Sequence, residues 1–221
     1  MARPNFINSD NIIKEIIRVN HAGEYGAKRI YQGQLNYCKN HEASSTIKHM
    51  MQQEEVHLSY FTNLLLQRNV RPTILIPFWH IIGYILGSGS ILIGTKTAML
   101  LTQSVEEVIE QHYQKQIDYL ELYNLEKELV DSIKQFQAEE IEHKDIALVY
   151  SNDLENWNVK QGVSERSVHE VREYANTPQF CETNSSKQKS LQGSSKVVLA
   201  SLINKVIKLM CNMAINVSKK V

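Results

Sequence analysis

The sequence predicts an all-α protein: a four-helix bundle with a long apolar crossover and an additional C-terminal helix. Three observations lead to this prediction. Apolar residues recur at three- and four-residue steps through four long segments, which is the period of amphipathic helices. Short connections follow the first and third segments and a long one joins them, as in two antiparallel helix pairs. Finally, a Glu followed about thirty residues later by Glu-x-x-His occurs twice.

Capping residues and helix breakers delimit the four predicted helices. The first begins after Asn8-Ser9-Asp10, which are good N-cap residues, and runs to about Asn40. The second covers roughly residues 44–69 and ends before Arg71-Pro72, because the residue before a proline disfavours helix. The third runs from about residue 96 to 123 and the fourth from about 125 to 153.

Six side chains make up the doubled pattern: Glu24, Glu54, His57, Glu106, Glu140 and His143. Alone, the Glu-x-x-His pairs are a weak signal, since 19 Glu and 8 His in 221 residues give about 0.7 such pairs by chance. However, all six residues lie on the apolar stripes of their helices, where an unpaired carboxylate is expensive. Two divalent cations would balance the four carboxylates. The pattern therefore predicts a two-metal site in the core.

The donor set indicates which metal is expected. Oxygen-rich ligation with one imidazole per metal favours iron or manganese over zinc. The three cysteines, Cys38, Cys181 and Cys211, are not at metal-ligand spacing. One Glu from each of two helices and Glu-x-x-His from each of two others is the ligand set of ferritin-like bundles, so the predicted fold is ferritin-like.

Composition narrows the classes of partner. The chain has 24 basic and 24 acidic residues, and a neutral balance gives no electrostatic reason to expect nucleic acid. Three widely spaced cysteines are typical of a reducing compartment. The first twenty residues lack an apolar signal core, so we expect no signal peptide.

The crossover, residues 72–95, contains no Asp, Glu, Lys or Arg. Its length would span a bilayer, but one proline and four glycines interrupt it: Pro77, Gly83, Gly87, Gly89 and Gly94. We expect a broken helix that packs partly on the bundle and partly in a membrane interface, where Trp79 and Tyr84 would suit. A spanning helix and a buried crossover helix are the alternatives.

The chain is predicted to form one domain with an insertion. Residues 1–153 would form the metal-binding bundle, including the crossover. Residues 154–195 are rich in Asn, Ser, Gln, Lys and Glu and resemble a linker. Residues 196–221 recover an amphipathic pattern. That last helix is expected to pack on the bundle, with a basic amphipathic membrane anchor as the alternative.

Five segments closely resemble the demethoxyubiquinone hydroxylases, di-iron enzymes of ubiquinone biosynthesis. They are RVNHAGEYGAKRIYQGQL (residues 18–35), QEEVH, RPTILIPFW with its Gly-rich continuation, VEEVIEQHY and EEIEHKD. The resemblance extends from Arg18 to Ala147, about sixty per cent of the chain. Two departures from the family pattern are an extra carboxylate, Glu110, and a longer and more polar segment at residues 154–195, which would impair activity if it displaced the final helix.

The resemblance implies that the six residues of the doubled pattern bind two iron ions, with Glu54 and Glu140 as bridging carboxylates. It implies that His112 and Tyr113 lie near the ligands or the substrate, with ordinary core packing as the alternative. The adjacent residues Glu55, Glu107 and Glu139 are expected to be solvated, because each lies about 100° around its helix from a ligand.

The function implied by the resemblance is that of a di-iron monooxygenase. It would hydroxylate the ring of a prenylated demethoxybenzoquinol with O₂ and an external electron donor. We expect a peripheral protein on the cytoplasmic face of a bacterial cell membrane. Partner proteins of quinone biosynthesis and a homo-oligomer are both left open. The alternatives are a ferritin- or rubrerythrin-like iron oxidase and a non-catalytic membrane-associated helical protein.

Overall fold

The computed structural model describes residues 6–153 together with Lys205, Asn212, Ile215 and Asn216. Residues 6–153 form five helices: α1 (Phe6–Tyr37), α2 (His41–Gln67), α3 (Ile76–Ile93), α4 (Thr95–Leu122) and α5 (Lys127–Asp153). This part of the chain contains no strand. The predicted all-α fold is therefore confirmed.

Four of the helices form the bundle, and α3 is the crossover. Short connections make α1 and α2 one packed pair and α4 and α5 the other, and α3 packs mainly on α1. The larger core cluster lies towards the start of α1 and contains Ile17, Phe61, Tyr113 and Ile133. A second cluster towards the end of α1 includes Tyr31, Met50 and Met99. The predicted metal ligands lie between these two apolar clusters.

Three predicted helix boundaries are wrong. Helix α1 begins at Phe6, so Asn8, Ser9 and Asp10 lie inside it, and Ser9 is buried rather than acting as an N-cap. At the other end, α1 stops at Tyr37 and Asn40 caps α2, accepting a hydrogen bond from the Ala43 backbone N–H at 2.9 Å. A cap at Asn40 satisfies one of the free N–H groups of the first turn, so α2 begins earlier than predicted.

The expectation of a broken crossover helix is also wrong. Helix α3 is continuous from Ile76 to Ile93, and only Gly94 separates it from α4. Its glycines instead allow α3 and α1 to pack closely. A Cβ on Gly87 would clash with the carbonyl oxygen of Ile30 on α1. A Cβ on Gly33 of α1 would clash in the same way with the Tyr84 carbonyl oxygen. The two backbones pack at a distance that only glycine permits.

The outer face of α3 is apolar and exposed. We call this surface the α3 face; it consists of Phe78, Ile81, Ile85, Leu92 and Ile93. By length and composition α3 is the one helix among the described residues that could cross a membrane, and 28% of it is buried against the protein. Trp79, which we predicted at a membrane interface, instead packs against Gly26 of α1.

The domain boundaries stay predictions. Residues 154–195 lie outside the described residues, as does most of 196–221. Of the four described residues in the last stretch, Ile215 is half-buried and lines a cavity beside α1, α3 and α4.

Candidate metal centre

The six residues of the doubled pattern meet in the middle of the bundle. Each is at most 1% exposed. Their ligand atoms form two groups, each with all atoms within 4.8 Å of one another. The first group consists of Glu24, Glu54, His57 and Glu140; the second consists of Glu54, Glu106, Glu140 and His143. Glu54 and Glu140 belong to both groups, which is the arrangement that two bridged cations need.

Both imidazoles direct Nδ1 into this cluster. His57 Nδ1 lies 3.2 Å from Glu140 Oε1 and 3.6 Å from Glu24 Oε2. His143 Nδ1 lies 3.2 Å from Glu54 Oε1 and 3.4 Å from Glu140 Oε2. One imidazole nitrogen and three carboxylates therefore surround each of two positions.

Unpaired buried polar atoms test whether this donor set fits metal ions. Among the described residues, eight of the eleven buried side-chain N and O atoms without a hydrogen-bond partner belong to the six residues. They are Glu24 Oε2, both Glu54 oxygens, His57 Nδ1, Glu106 Oε2, both Glu140 oxygens and His143 Nδ1. Buried polar atoms in folded proteins are nearly always paired, so such a concentration fits a site that cations complete.

The charges of the cluster point the same way. Burial, and then the neighbouring carboxylates Glu140 and Glu24, raise the pKa of Glu54 well above its ordinary value. Burial and Glu140 likewise raise the pKa of Glu106. Burial acts on Glu140 in the same direction, but the two imidazoles outweigh it and lower the pKa of Glu140 to about 2. Without added positive charge, protons must compensate the crowded carboxylates.

Glu24 and Glu106 each belong to only one of the two groups, and we call them the outer glutamates. Two buried tyrosines bind them across the bundle. The Tyr31 hydroxyl of α1 donates to Glu106 Oε1 of α4 at 2.6 Å. The Tyr113 hydroxyl of α4 donates to Glu24 Oε1 of α1. In each carboxylate this leaves Oε2 unpaired and facing the cluster. Sequence analysis missed Tyr31, although a signal exists: each tyrosine lies seven residues after the outer glutamate of its own helix.

The outer nitrogens of both imidazoles also have partners. His57 Nε2 lies 2.7 Å from Glu139 Oε2, and His143 Nε2 lies 2.9 Å from Gln53 Oε1. The prediction that Glu139 is simply solvated is therefore wrong, because α2 approaches α5 closely enough to bury it in part. Glu55 does lie at the surface, where it pairs with Lys28 at 3.0 Å.

The remaining predicted residues lie on α4. Tyr113 contacts the candidate ligand Glu24, whereas His112 is half-buried and belongs to neither candidate group. Its position about 100° around the helix from Tyr113 directs it elsewhere. Glu110, the departure noted in the sequence, pairs with Lys144 of α5. That ion pair gives Glu110 a partner outside the cluster.

A cavity with apolar walls lies between α1, α3 and α4, and none of the six residues is part of its lining. Its lining includes the immediate neighbours of both outer glutamates: Gly23 precedes Glu24 and Val105 precedes Glu106. The rest of the lining comes from Val19, Ala22, Gly26, Ala27, Ile30, Trp79, Val108, Ile109 and Ile215. Trp79 of α3 lines the cavity together with Gly23 and Val105, so the apolar crossover contributes to a cavity whose other walls include the residues next to Glu24 and Glu106.

Comparison with known proteins identifies relatives. The family model described as ubiquinone biosynthesis protein COQ7 matches residues 11–171. A Bos taurus protein named NADPH-dependent 3-demethoxyubiquinone 3-hydroxylase, mitochondrial, is 46% identical over 66% of this chain and 70% of its own length. The Homo sapiens protein of the same name is 44% identical over the same shares. A Rhodospirillum rubrum protein named 3-demethoxyubiquinol 3-hydroxylase is 45% identical over 64% of this chain and 65% of its own length.

Proposed function

The chain belongs to the COQ7 family of ubiquinone biosynthesis proteins, and from that premise we propose that it hydroxylates a prenylated demethoxybenzoquinol at two iron ions. That it is a hydroxylase of ubiquinone biosynthesis follows from the family and from the named relatives. The iron ions, the quinol and the membrane are the proposed parts. The same membership disfavours the iron-oxidase and non-catalytic alternatives.

The observation that carries the proposal is the cluster of eight unpaired buried donor atoms. Glu24 and His57 would hold one ion, Glu106 and His143 the other, and Glu54 and Glu140 both. Four carboxylates with two imidazoles favour iron or manganese among common metals. When bound, ferrous ions would supply the reduction of O₂, which protein side chains cannot perform.

The chain's own residues would prepare the site for this chemistry. Tyr31 and Tyr113 each bind one oxygen of an outer glutamate and so fix the direction of the other oxygen. The Phe136 ring packs on His57 with ring centroids 4.2 Å apart and limits rotation of the imidazole. The six residues are at most 1% exposed, and exclusion of water strengthens the electrostatic interactions among them.

The cavity beside Glu24 and Glu106 is where we propose that the quinol ring binds. Its walls are apolar and suit an aromatic ring with an isoprenoid tail. Trp79 lines the cavity and lies on the helix that carries the α3 face. A head group could therefore enter at this helix while the tail stays in lipid.

The proposed reaction replaces one ring C–H by C–OH. One atom of O₂ enters the ring and the other leaves as water, with two electrons and two protons supplied from outside. The mammalian relatives are named NADPH-dependent, which supports a nicotinamide as the source of electrons. Direct reduction and reduction through a second protein are both compatible with that name.

The α3 face supports peripheral attachment to the membrane that holds the substrate. Five large apolar side chains are exposed there, and partial burial in a bilayer interface would remove them from water. We propose that this membrane is a bacterial cell membrane and that the chain lies on its cytoplasmic face; one relative comes from the bacterium Rhodospirillum rubrum, whereas the mammalian relatives are named mitochondrial.

Complementation tests the proposed function. A strain that lacks its demethoxyubiquinone hydroxylase would be supplied with this chain, and its lipid extract analysed by mass spectrometry. The wild-type chain should convert the accumulated demethoxy intermediate, and Glu54→Ala should not. If expressed, metal-loaded wild-type protein leaves the intermediate unconverted, the substrate assignment fails.

A further inference from the structure

The two halves of the bundle are equivalent around the cluster. Helices α1 and α2 supply Glu24, Tyr31, Glu54 and His57; helices α4 and α5 supply Glu106, Tyr113, Glu140 and His143. Each tyrosine donates a hydrogen bond to the outer glutamate of the other half. Each imidazole belongs to a group that contains both shared glutamates, Glu54 and Glu140. The two metal positions therefore have the same donor set, three carboxylates and one imidazole.

The two halves differ at the residue before each shared glutamate. Gln53 precedes Glu54, whereas Glu139 precedes Glu140. Each of these two residues accepts the outer N–H of the histidine from the other half: His57 Nε2 donates to Glu139 and His143 Nε2 donates to Gln53. One imidazole thus has a carboxylate behind it and the other has a neutral amide.

This difference changes the properties of Nδ1, the nitrogen of each imidazole that faces the cluster. A hydrogen bond from an imidazole to a carboxylate is charge-assisted and stronger than one to an amide. Such a partner fixes the ring and makes the nitrogen that faces the metal a better electron donor. The Glu139 side chain is 23% exposed, so solvent screens only part of its charge. Gln135 donates to its other oxygen at 3.2 Å and holds it in place.

We propose that Glu139 and Gln53 make the two metal positions unequal, so that the position of Glu24 and His57 binds its ion more tightly. The position of Glu106 and His143 then binds the second, more weakly held ion. In this arrangement Glu139 is a positioning residue that acts through His57. The inference rests on the proposed function, because it takes the six residues as metal ligands.

Four proteins test the inference: the wild type, Glu139→Gln, Gln53→Glu and the exchanged double variant Gln53→Glu/Glu139→Gln. Metal-free protein would be titrated with Co²⁺ without oxygen, and both binding steps followed by visible absorption and calorimetry. The wild type should show two unequal steps. Glu139→Gln should weaken the tighter step by about 10- to 100-fold, the usual effect of losing such a partner, and bring the steps together.

The other two variants are matched controls. Gln53→Glu should strengthen the weaker step, and the exchanged double variant should again give two unequal steps. Mössbauer spectra of Fe²⁺-loaded protein provide a second readout, since unequal sites give two signals and equal sites give one. If Glu139→Gln does not fold, Gln53→Glu and its spectrum carry the test.

Several results would overturn the inference. Equal binding steps in the wild type would do so, as would unchanged steps in Glu139→Gln or weakening of the looser step instead. These outcomes leave the proposed function intact, because two ions still bind. A wild-type chain that binds no Co²⁺ and no Fe²⁺ would instead remove the proposed function together with the inference.

Discussion

The core of the bundle and the α3 face both depart from the usual distribution of side chains, since the core buries charged groups and the α3 face exposes apolar ones. The core buries four carboxylates and two imidazoles at 1% exposure or less, whereas charged residues are almost never buried unless they are paired. The α3 face exposes large apolar side chains such as Ile81 and Ile85, at 59% and 56%. Each arrangement costs free energy unless a partner completes it.

The two regions differ in the partner that would complete them. The core holds four carboxylates against two imidazoles, and two cations would supply the missing positive charge. Within the part of the chain that the structure describes, the α3 face leaves five large apolar side chains exposed, and lipid would cover them. Trp79 connects the two, since it belongs to α3 and lines the cavity beside the cluster. Variants that alter one region at a time test whether the other region is affected.

The largest effect is expected from Glu54→Ala. Glu54 belongs to both ligand groups, so its loss should release both ions and abolish hydroxylation. This effect should exceed the roughly 10- to 100-fold loss of metal affinity expected when a hydrogen-bond partner of a ligand is removed. Glu55→Ala is the matched control, since Glu55 is exposed and pairs only at the surface with Lys28. Metal analysis and product assay would check both, and a metal-loaded Glu54→Ala protein would contradict the ligand assignment.

Charged residues on the α3 face should weaken the binding of the protein to a membrane. Ile81→Glu combined with Ile85→Glu should lower binding to lipid vesicles by tenfold or more, because each buried isoleucine contributes roughly 1.5–3 kcal/mol. Metal content should stay unchanged. Leu66→Glu, at an even more exposed apolar residue at the end of α2, should leave vesicle binding unchanged. Vesicle sedimentation measures the effect, and equal losses in both variants would argue against a specific membrane face.

The contact between the two regions depends on glycine. Gly87→Ala should lower the unfolding temperature by several degrees, since an overpacked contact costs about 1–3 kcal/mol. The added Cβ would clash with the Ile30 carbonyl oxygen. Gly89→Ala meets no atom within 4 Å and should slightly stabilise the helix. Thermal unfolding of the two variants measures the difference, and equal behaviour would contradict the close packing of α1 and α3.

The smallest effect expected is a dependence on pH. In the metal-free fold the pKa values of Glu54 and Glu106 are raised above the ordinary 4.5. Their contribution to stability is therefore present below that pH and is lost as the pH rises through the raised values. Metal replaces those protons, so the rise in unfolding temperature on adding Mn²⁺ should be larger at about pH 8 than at about pH 6. Calorimetry at both pH values checks the sign.

Sequence reasoning found the parts of the site that follow helical periodicity. The six clustered residues share apolar stripes at fixed steps, and that spacing survives folding because a helix preserves it. Glu139 was misjudged because a helical wheel contains no neighbouring helix; α2 brings His57 within 2.7 Å of it. Tyr31 was missed for the same reason, since its partner Glu106 is 75 residues away.

The crossover shows the other limit of sequence reasoning. Glycine lowers helix propensity, so Gly83 and Gly87 predicted a break. In the fold they lie against Arg29 and Ile30 of α1, and packing on α1 keeps α3 helical. Tertiary contact overrides a local preference here, and local pattern alone does not distinguish a glycine that breaks a helix from one that lets two helices meet.

Oxygen labelling tests the central claim most directly. Iron-loaded wild-type protein would be mixed with vesicles that contain the demethoxyquinol and a chemical reductant, under ¹⁸O₂, and the extracted product analysed by mass spectrometry. The account predicts one ¹⁸O atom in the new ring hydroxyl with the wild type, and no product with Glu54→Ala. New oxygen that comes from water, or equal product from Glu54→Ala, would contradict hydroxylation at this metal centre.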